Sequence, residues 1–431
     1  MPDGRTLIAG GRVIDPANQL DKQTNLLLEN RKVAYLGPDR PRADTVIDAN
    51  GLLVTPGLID MHVHLREPGH EEEETIASGT RAAAAGGFTS VACMANTHPP
   101  LDSEASIDFV LRQNSQFGYA NVFPIGAITK GLEGKELAEM GSMVRAGAVA
   151  FSDDGNGIAD TGVAFRAMQY VTMFDKVLIE HCEDPALAGG CINSGYVATV
   201  LGMPGRPGIA EQIMVYRDLK LAEAAGCRFH VAHLSTAEAV ELVREAKRRN
   251  AVTVTAEAAP HHLVLTDEAC KNFDPNCKVA PPLRTARDIQ ALKQGLADGT
   301  IDCLASDHAP HSREEKELEF LYAPFGLIGV ETALGLYIKA LIEPAVLDWP
   351  ALIAKMTVNP ARVLGIDKGH LSLGADADVT LIDPHRTWTV DVESFYSKSR
   401  NCPYHGWALQ GKAVGAIVAG RIIHEEALNR Q

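Results

Sequence analysis

The sequence predicts an α/β fold: a (β/α)8 TIM barrel with a small β-sandwich built from both termini. Three observations point there. Eight apolar runs suited to buried parallel strands recur through the middle of the chain, most separated by segments of helical spacing. Both ends carry short strand-like runs parted by turns instead. Several of the middle runs finish on a histidine or a carboxylate, at the end of the strand where barrel active sites are built.

Residues 1–55 hold the strand-like runs Thr6–Ala9, Asn25–Glu29, Val33–Gly37, Thr45–Asp48 and Leu52–Thr55, with no helical period between them. They form the first part of the predicted sandwich. Residues 56–366 form the predicted barrel, with strands at Leu58–His64, Thr89–Ala95, Asn121–Ala127, Ala148–Ser152, Val177–His181, Phe229–His233, Val252–Glu257 and Ile301–Ser306. The clearest helix is Ser235–Asn250: Ser235 and Glu238 make an S-x-x-E capping box, and Lys247-Arg248-Arg249 place cations at its C-terminal end. No GxGxxG follows the first strand, which disfavours a doubly wound open sheet. Residues 367–431 complete the sandwich with Ala377–Asp383, Val414–Val418 and Arg421–His424.

Composition removes other classes. The 431 residues carry a formal charge of −15, which argues against a nucleic-acid partner, and Lys247–Arg249 is the only basic run. Eight cysteines with no CxxC exclude a disulfide scaffold or zinc-finger pattern and fit a reducing compartment. The N-terminus lacks the apolar core of a signal peptide. The uncharged stretches Ala82–Leu101 and Pro185–Gly205 are broken by Gly, Pro, Ser, Thr or Asn, so no membrane helix is expected. The expectation is a soluble, cytoplasmic protein.

The strongest local signal is Gly57-Leu-Ile-Asp-Met-His-Val-His-Leu-Arg-Glu-Pro-Gly69. Strand alternation sends Asp60, His62 and His64 to one face, and an imidazole pair at such a strand end suits Zn²⁺ or another divalent transition metal. Later strands end in Phe151-Ser-Asp-Asp-Gly155, Ile179-Glu-His181, Val231-Ala-His233 and Ala305-Ser-Asp307. That exceeds the three protein ligands of one catalytic zinc, whereas two ions sharing a bridging carboxylate use the whole set.

These residues resemble the amidohydrolase superfamily. The motifs His62-Val-His-Leu-Arg-Glu-Pro-Gly69, Met94-Ala-Asn-Thr97, Phe151-Ser-Asp-Asp-Gly155, Pro281-Pro-Leu-Arg284 and Ser306-Asp-His-Ala-Pro-His311 are similar to bacterial class I dihydroorotases, and the likeness runs from about Gly10 to Arg421. The resemblance implies zinc, two ions per subunit or one, and reversible cyclisation of N-carbamoyl-L-aspartate to dihydroorotate in pyrimidine synthesis. It implies that His62, His64 and Asp307 hold the first metal and that His181 and His233 hold the second. The implied bridge is Asp154, favoured over Asp153, and the implied substrate contacts are Arg66, Asn96, His311, Phe325 and Gly326. A homodimer and a complex with aspartate transcarbamoylase are compatible with it. Related hydantoinases bridge with a carboxylated lysine, and no lysine occurs between Arg145 and Asp175.

The chemistry agrees with that implication. Opening a ring amide needs a hydroxide nucleophile, and a divalent metal lowers the pKa of bound water from about 15.7 towards about 7. Asp307 can accept the proton and redeliver it to the leaving nitrogen. Arg66 offers a fork matched to a carboxylate; its alternative is a rim salt bridge with Glu67 or Glu72. Glu71–Glu74 reads as a solvated run starting a helix, His261-His262 as structural, Ser312–Glu319 as a charged loop at the mouth, and the cysteines as core. Two departures stand out: Ala280 where the family has a substrate-binding asparagine, and Ala95 where it has proline. The rival readings are an allantoinase- or hydantoinase-like enzyme and a weakly active scaffold partner of aspartate transcarbamoylase.

Overall fold

The apolar runs of the middle form eight parallel strands in the computed structural model, which describes residues 4–426. They are Leu58–Val63 (β1), Phe88–Cys93 (β2), Asn121–Gly126 (β3), Ala150–Phe151 (β4), Val177–Glu180 (β5), Phe229–Val231 (β6), Val254–Ala258 (β7) and Cys303–Leu304 (β8), paired in that order. Closure is made just past the strand ends. Val63 bridges His308 in parallel, and the His64 N–H donates to the His308 carbonyl at 2.8 Å. Beside that seam the Ser306 N–H donates to the buried Asp60 carboxylate at 3.0 Å, and the His62 N–H donates to it at 3.2 Å. Asp60 therefore joins the barrel seam rather than the histidine cluster. β8 is two residues long, and three residues past its end Asp307 takes a left-handed φ of 49°, outside the extended range of a strand.

The strands are apolar on both sides because both sides are covered. Met61, Ala92, Ile125, Ala150, Ile179, Ala232 and Cys303 pack together as the inner layer, with Val363 and Leu364 in the same cluster. Leu58, Phe88, Val91, Val122, Leu178, Phe229 and Val254 pack in the larger cluster shared with the surrounding helices. The helix after β6 spans Ala237–Arg249. Its cap is Thr236, which accepts from the Ala239 N–H, and not the expected Ser235. Ser235 is drawn inward instead: its N–H donates to Glu211 at 2.7 Å and its Oγ accepts from Arg284 at 3.0 Å. Burial of two charged partners outweighs local capping preference here. All eight cysteines are buried and unpaired, as core residues.

The termini share a second eight-stranded sheet. Leu53–Pro56 pairs antiparallel with the far end of the chain, Val379–Thr389, which continues to Ala408–Val418 and Arg421–Glu425. On its other side it meets Thr6–Asp15. That strand changes partner from Thr45–Asp48 to Leu53–Pro56 at a bulge around Gly10. Gly10 has φ 76°, and a Cβ there would stand 2.6 Å from the Asn50 side-chain oxygen, so only glycine fits the turn. The sheet wraps a core of Ile8, Val13, Leu26, Val54, Leu381 and Ile417. Among the described residues no helix is long and apolar enough to cross a membrane.

Asp60→Ala should leave the buried Ser306 N–H without an acceptor at the seam, costing about 1–3 kcal/mol for that donor alone. Thermal and urea unfolding should show the loss, and a stability equal to wild type would mean the seam is held by backbone pairing alone.

Candidate active site

Barrel closure puts the ends of β1, β4, β5, β6 and β8 around one cavity of about 410 Å³. Its wall includes His64, Arg66, Asn96, Asp154, His181, His233, Asp307, His311, Phe325 and Gly326. His62 lies fully buried beneath it. Thus ten of the eleven residues singled out in the sequence line the cavity, and the eleventh supports it.

Asp154 is the centre of this arrangement. Its Oδ2 stands 3.4 Å from His62 Nε2 and 3.6 Å from His64 Nε2, and its Oδ1 stands 3.4 Å from His233 Nε2 and 3.9 Å from His181 Nδ1. Asp153 points elsewhere. It accepts from the N–H groups of Ile128 and Thr129, at 2.7 and 3.0 Å, and from the Thr129 hydroxyl. Asp307 Oδ1 lies 3.4 Å from His64 Nε2 and 3.6 Å from His62 Nε2, while Oδ2 turns towards His261 at 3.8 Å.

Three imidazoles use one nitrogen outside the cluster and leave the other facing in. His62 Nδ1 donates to Glu257 at 2.6 Å, His64 Nδ1 to Asn96 Oδ1 at 2.8 Å, and His181 Nε2 to Glu183 at 3.1 Å. Outer partners of this kind fix the tautomer of a metal-binding histidine. The buried His62 Nε2 and Asp154 Oδ1 have no hydrogen-bond partner among the described residues. Within ligand reach of one another lie two sets: His62, His64 and Asp307, and His62, Asp154 and His233. His181 stands outside those sets but touches the second through His233 Nε2 at 3.0 Å. Orphaned buried acceptors facing each other are what a divalent cation satisfies, so the donor set fits one or two such ions.

The electrostatics point the same way. Burial opposes charge on Asp154 and Asp307, yet the surrounding histidines hold both carboxyls well below their ordinary range. Burial likewise opposes charge on His62, yet Asp154 and Glu257 raise it well above the usual imidazole value, so a bound cation would displace a proton there. Glu183 and Glu257, though buried, are held at about 2 by the cations and histidines they touch.

Arg66 lines the same cavity. Its Nε donates to the Pro310 carbonyl at 2.9 Å and lies 2.9 Å from Glu73 Oε2. The salt bridge is to Glu73, not to Glu67 or Glu72, and it holds the guanidinium at the cavity rather than removing it. Glu73 and Glu74 are buried, and the following helix begins at Ile76 with Thr75 as cap, so only Glu71 and Glu72 form the expected solvated face. His311 Nε2 donates to the Phe325 carbonyl at 2.8 Å. Gly326 has φ 131°, and a Cβ there would stand 2.8 Å from Ala309 Cβ, so the loop reaches the cavity only as glycine. Ser312–Glu319 contains the short helix Arg313–Lys316, capped by Ser312.

Sequence reasoning missed the supporting shell: Glu73, Glu183, Arg206 and Glu257. Glu257 had a signal, a carboxylate at the end of an expected strand; Glu73, on a loop, and Arg206, on the two-residue strand Gly205–Arg206, had none. His262 is structural, with Nε2 donating to the Pro281 carbonyl at 2.9 Å. His261 is buried beside Asp307 with neither nitrogen partnered.

A parallel barrel with this His/Asp cluster at its C-terminal mouth fits a metal-dependent hydrolase, and comparison with known proteins narrows the class to the cyclic amidohydrolases. In structure the chain is similar to an L-hydantoinase (dihydropyrimidinase) from Arthrobacter aurescens, with a TM-score of 0.89, 27% identity, and 99% of this chain and 97% of that one covered. A dihydropyrimidinase from Brevibacillus agri shares the fold at a TM-score of 0.86 and 24% identity, with 98% and 95% covered. Residues 51–239 match the family model for dihydro-orotase-like proteins. In sequence the chain is 53% identical to the dihydroorotase of Pelotomaculum thermopropionicum, over 99% of this chain and all of that one. It is 48% identical to that of Syntrophus aciditrophicus over 98% and 100%, and 49% identical to that of Geobacter metallireducens over 97% and 99%. The chain belongs to the dihydroorotase family.

The two aspartates should separate cleanly. Asp154→Ala should strip metal from the purified protein while Asp153→Ala should leave metal content near wild type and lower thermal stability, measured by elemental analysis and unfolding. Equal metal loss in both variants would sink the assignment of Asp154 to the centre.

Proposed function

We propose that the chain is a zinc-dependent dihydroorotase, opening the ring amide of dihydroorotate to N-carbamoyl-L-aspartate and closing it in pyrimidine synthesis. The observation that carries this reading is the presence, in one cavity, of a His/Asp cluster and an anchored guanidinium. A substrate with a carboxylate beside a cyclic amide meets both, whereas hydantoin and allantoin have no carboxylate for Arg66. The residues proposed to hold zinc are His62, His64, Asp154 and Asp307, with His181 and His233 completing a second position. When bound, zinc lowers the pKa of water towards about 7 and polarises a carbonyl.

The rest of the chemistry falls to the chain. Arg66 binds the substrate carboxylate with the guanidinium edge turned from Glu73 and Pro310, where Nη2 lies 3.3 Å from His311 Nε2. Asn96 holds His64 and adds a polar contact at the same wall. Asp307, held ionised, takes the proton of the attacking water at Oδ2, the oxygen turned from His62 and His64, and passes it to the leaving nitrogen. In ring closure it runs the transfer backwards. Phe325, Pro324 and Ala280 line the cavity and limit bulk water around the reacting amide.

Turnover of dihydroorotate, allantoin and hydantoin by the purified chain tests the substrate directly; preference for either neutral ring would overturn it. Arg66→Met should raise KM for dihydroorotate at least about tenfold, the size of one lost charge-assisted contact, with zinc content unchanged. Asp307→Asn should lower kcat per bound zinc at least about a hundredfold in both directions. Rate loss that tracks zinc loss and is restored by added zinc would leave Asp307 a ligand only.

A further inference from the structure

Arg206 supports Glu183 and also lines the substrate cavity, where the chemistry above gives it no part. It sits on a two-residue strand, Gly205–Arg206, paired with Ile192–Asn193, and is 7% exposed. Three contacts immobilise it. Nη1 donates to Glu183 Oε2 at 2.6 Å, Nε donates to the Gly190 carbonyl at 3.1 Å, and the guanidinium stacks over Phe325 at 4.5 Å. Among the described residues these bonds use Nε and Nη1, and none is made by Nη2. Glu183 does not depend on Arg206 alone, because His181 Nε2 lies 3.1 Å and Arg284 Nη2 3.7 Å from it. A rigid guanidinium with one edge unspent at a buried cavity is a donor waiting for an acceptor.

The acceptor follows from the substrate reading above, on which this inference rests. Dihydroorotate has three polar regions. Its carboxylate goes to Arg66, and its scissile amide goes to the His/Asp cluster. The ureido carbonyl remains, and Ala280, which also lines the cavity, has only a methyl group to offer it. We propose that Arg206 Nη2 donates to the ureido oxygen, supplying the contact that a polar side chain at position 280 would make. When the ring opens, electron density on the leaving nitrogen is shared with that oxygen, so a cationic donor there stabilises the departing ureido group as well as the bound ring.

The test uses the zinc-loaded full chain, with zinc content, kcat and KM measured for dihydroorotate. Arg206→Met should keep zinc and lose about 10- to 100-fold in kcat/KM, the range for one hydrogen bond to a charged group. Adding Ala280→Asn to Arg206→Met should recover at least about threefold, because an amide at 280 restores a donor without touching Glu183. If Arg206→Met fails to fold or loses zinc, Arg206→Lys keeps the charge beside Glu183 but lacks the second edge. It should then show the same loss in kcat/KM with zinc retained, and normal kcat/KM in that variant overturns the proposal. A zinc-replete Arg206→Met with wild-type kinetics, or a loss that Ala280→Asn does not relieve, also overturns it. A wild-type chain that fails to turn over dihydroorotate overturns the substrate reading instead, so the two failures are distinguishable.

Discussion

The seam between the first and last barrel strands governs the site. Asp307 lies at β8's exit, His62 on β1 and His64 just after it, more than two hundred residues earlier in the chain. They meet because Val63 pairs with His308, and because Asp60 takes the Ser306 N–H. An open sheet would carry the same residues at its two far edges. Closure is therefore a chemical requirement as much as a packing one, and the buried carboxylate at the seam sits two residues from the first imidazole.

Around that seam the chain arranges its charges in layers. Asp154 and Asp307 face four imidazoles. Behind these stand Glu257, Glu183 and Asn96, each fixing one ring nitrogen. Arg206 and Arg284 neutralise Glu183 from further out. An isolated buried carboxylate would take up a proton, so these cations keep Glu183 an acceptor and keep His181 turned inward. Arg66, His233 and Asp307 all adopt positive φ, at 61°, 27° and 49°. Non-glycine residues resist this conformation, and its presence at three site positions shows how tightly the surrounding contacts define the geometry.

Much of this was legible in the sequence, for a physical reason. A strand's two-residue period reports which side chains share a face, and a barrel makes its strand ends converge, so the histidines and aspartates at those ends announced themselves. The shared terminal sheet was legible for the same reason, since short strand-like runs without helical period mark both ends. What escaped reading lies where the backbone follows no period. Glu73 and Glu74 looked like part of an exposed acidic run, yet the loop after β1 folds two of its four carboxylates inward against Arg66 and His308. Ser235 matched a capping pattern, but Glu211 and Arg284, distant in sequence, claimed it. Arg206 gave no local signal because its strand is two residues long and its partners, Glu183 and Phe325, are distant in sequence.

The pairing of Leu53–Pro56 with Val379–Thr389 bears on how the molecule is made. The chain reaches β1 directly from Leu53–Pro56, and the Leu58 N–H at its start donates to Thr380 Oγ1. A ribosome releases the N-terminal partner hundreds of residues before the C-terminal one exists, so Leu53–Pro56 can pair with Thr6–Asp15 but must wait with its other edge open through most of synthesis. Contacts of such long sequence separation are slow to form. The nascent chain thus carries an exposed strand edge until translation is nearly done, and this is the stage at which a chaperone, or a second nascent copy, would find it.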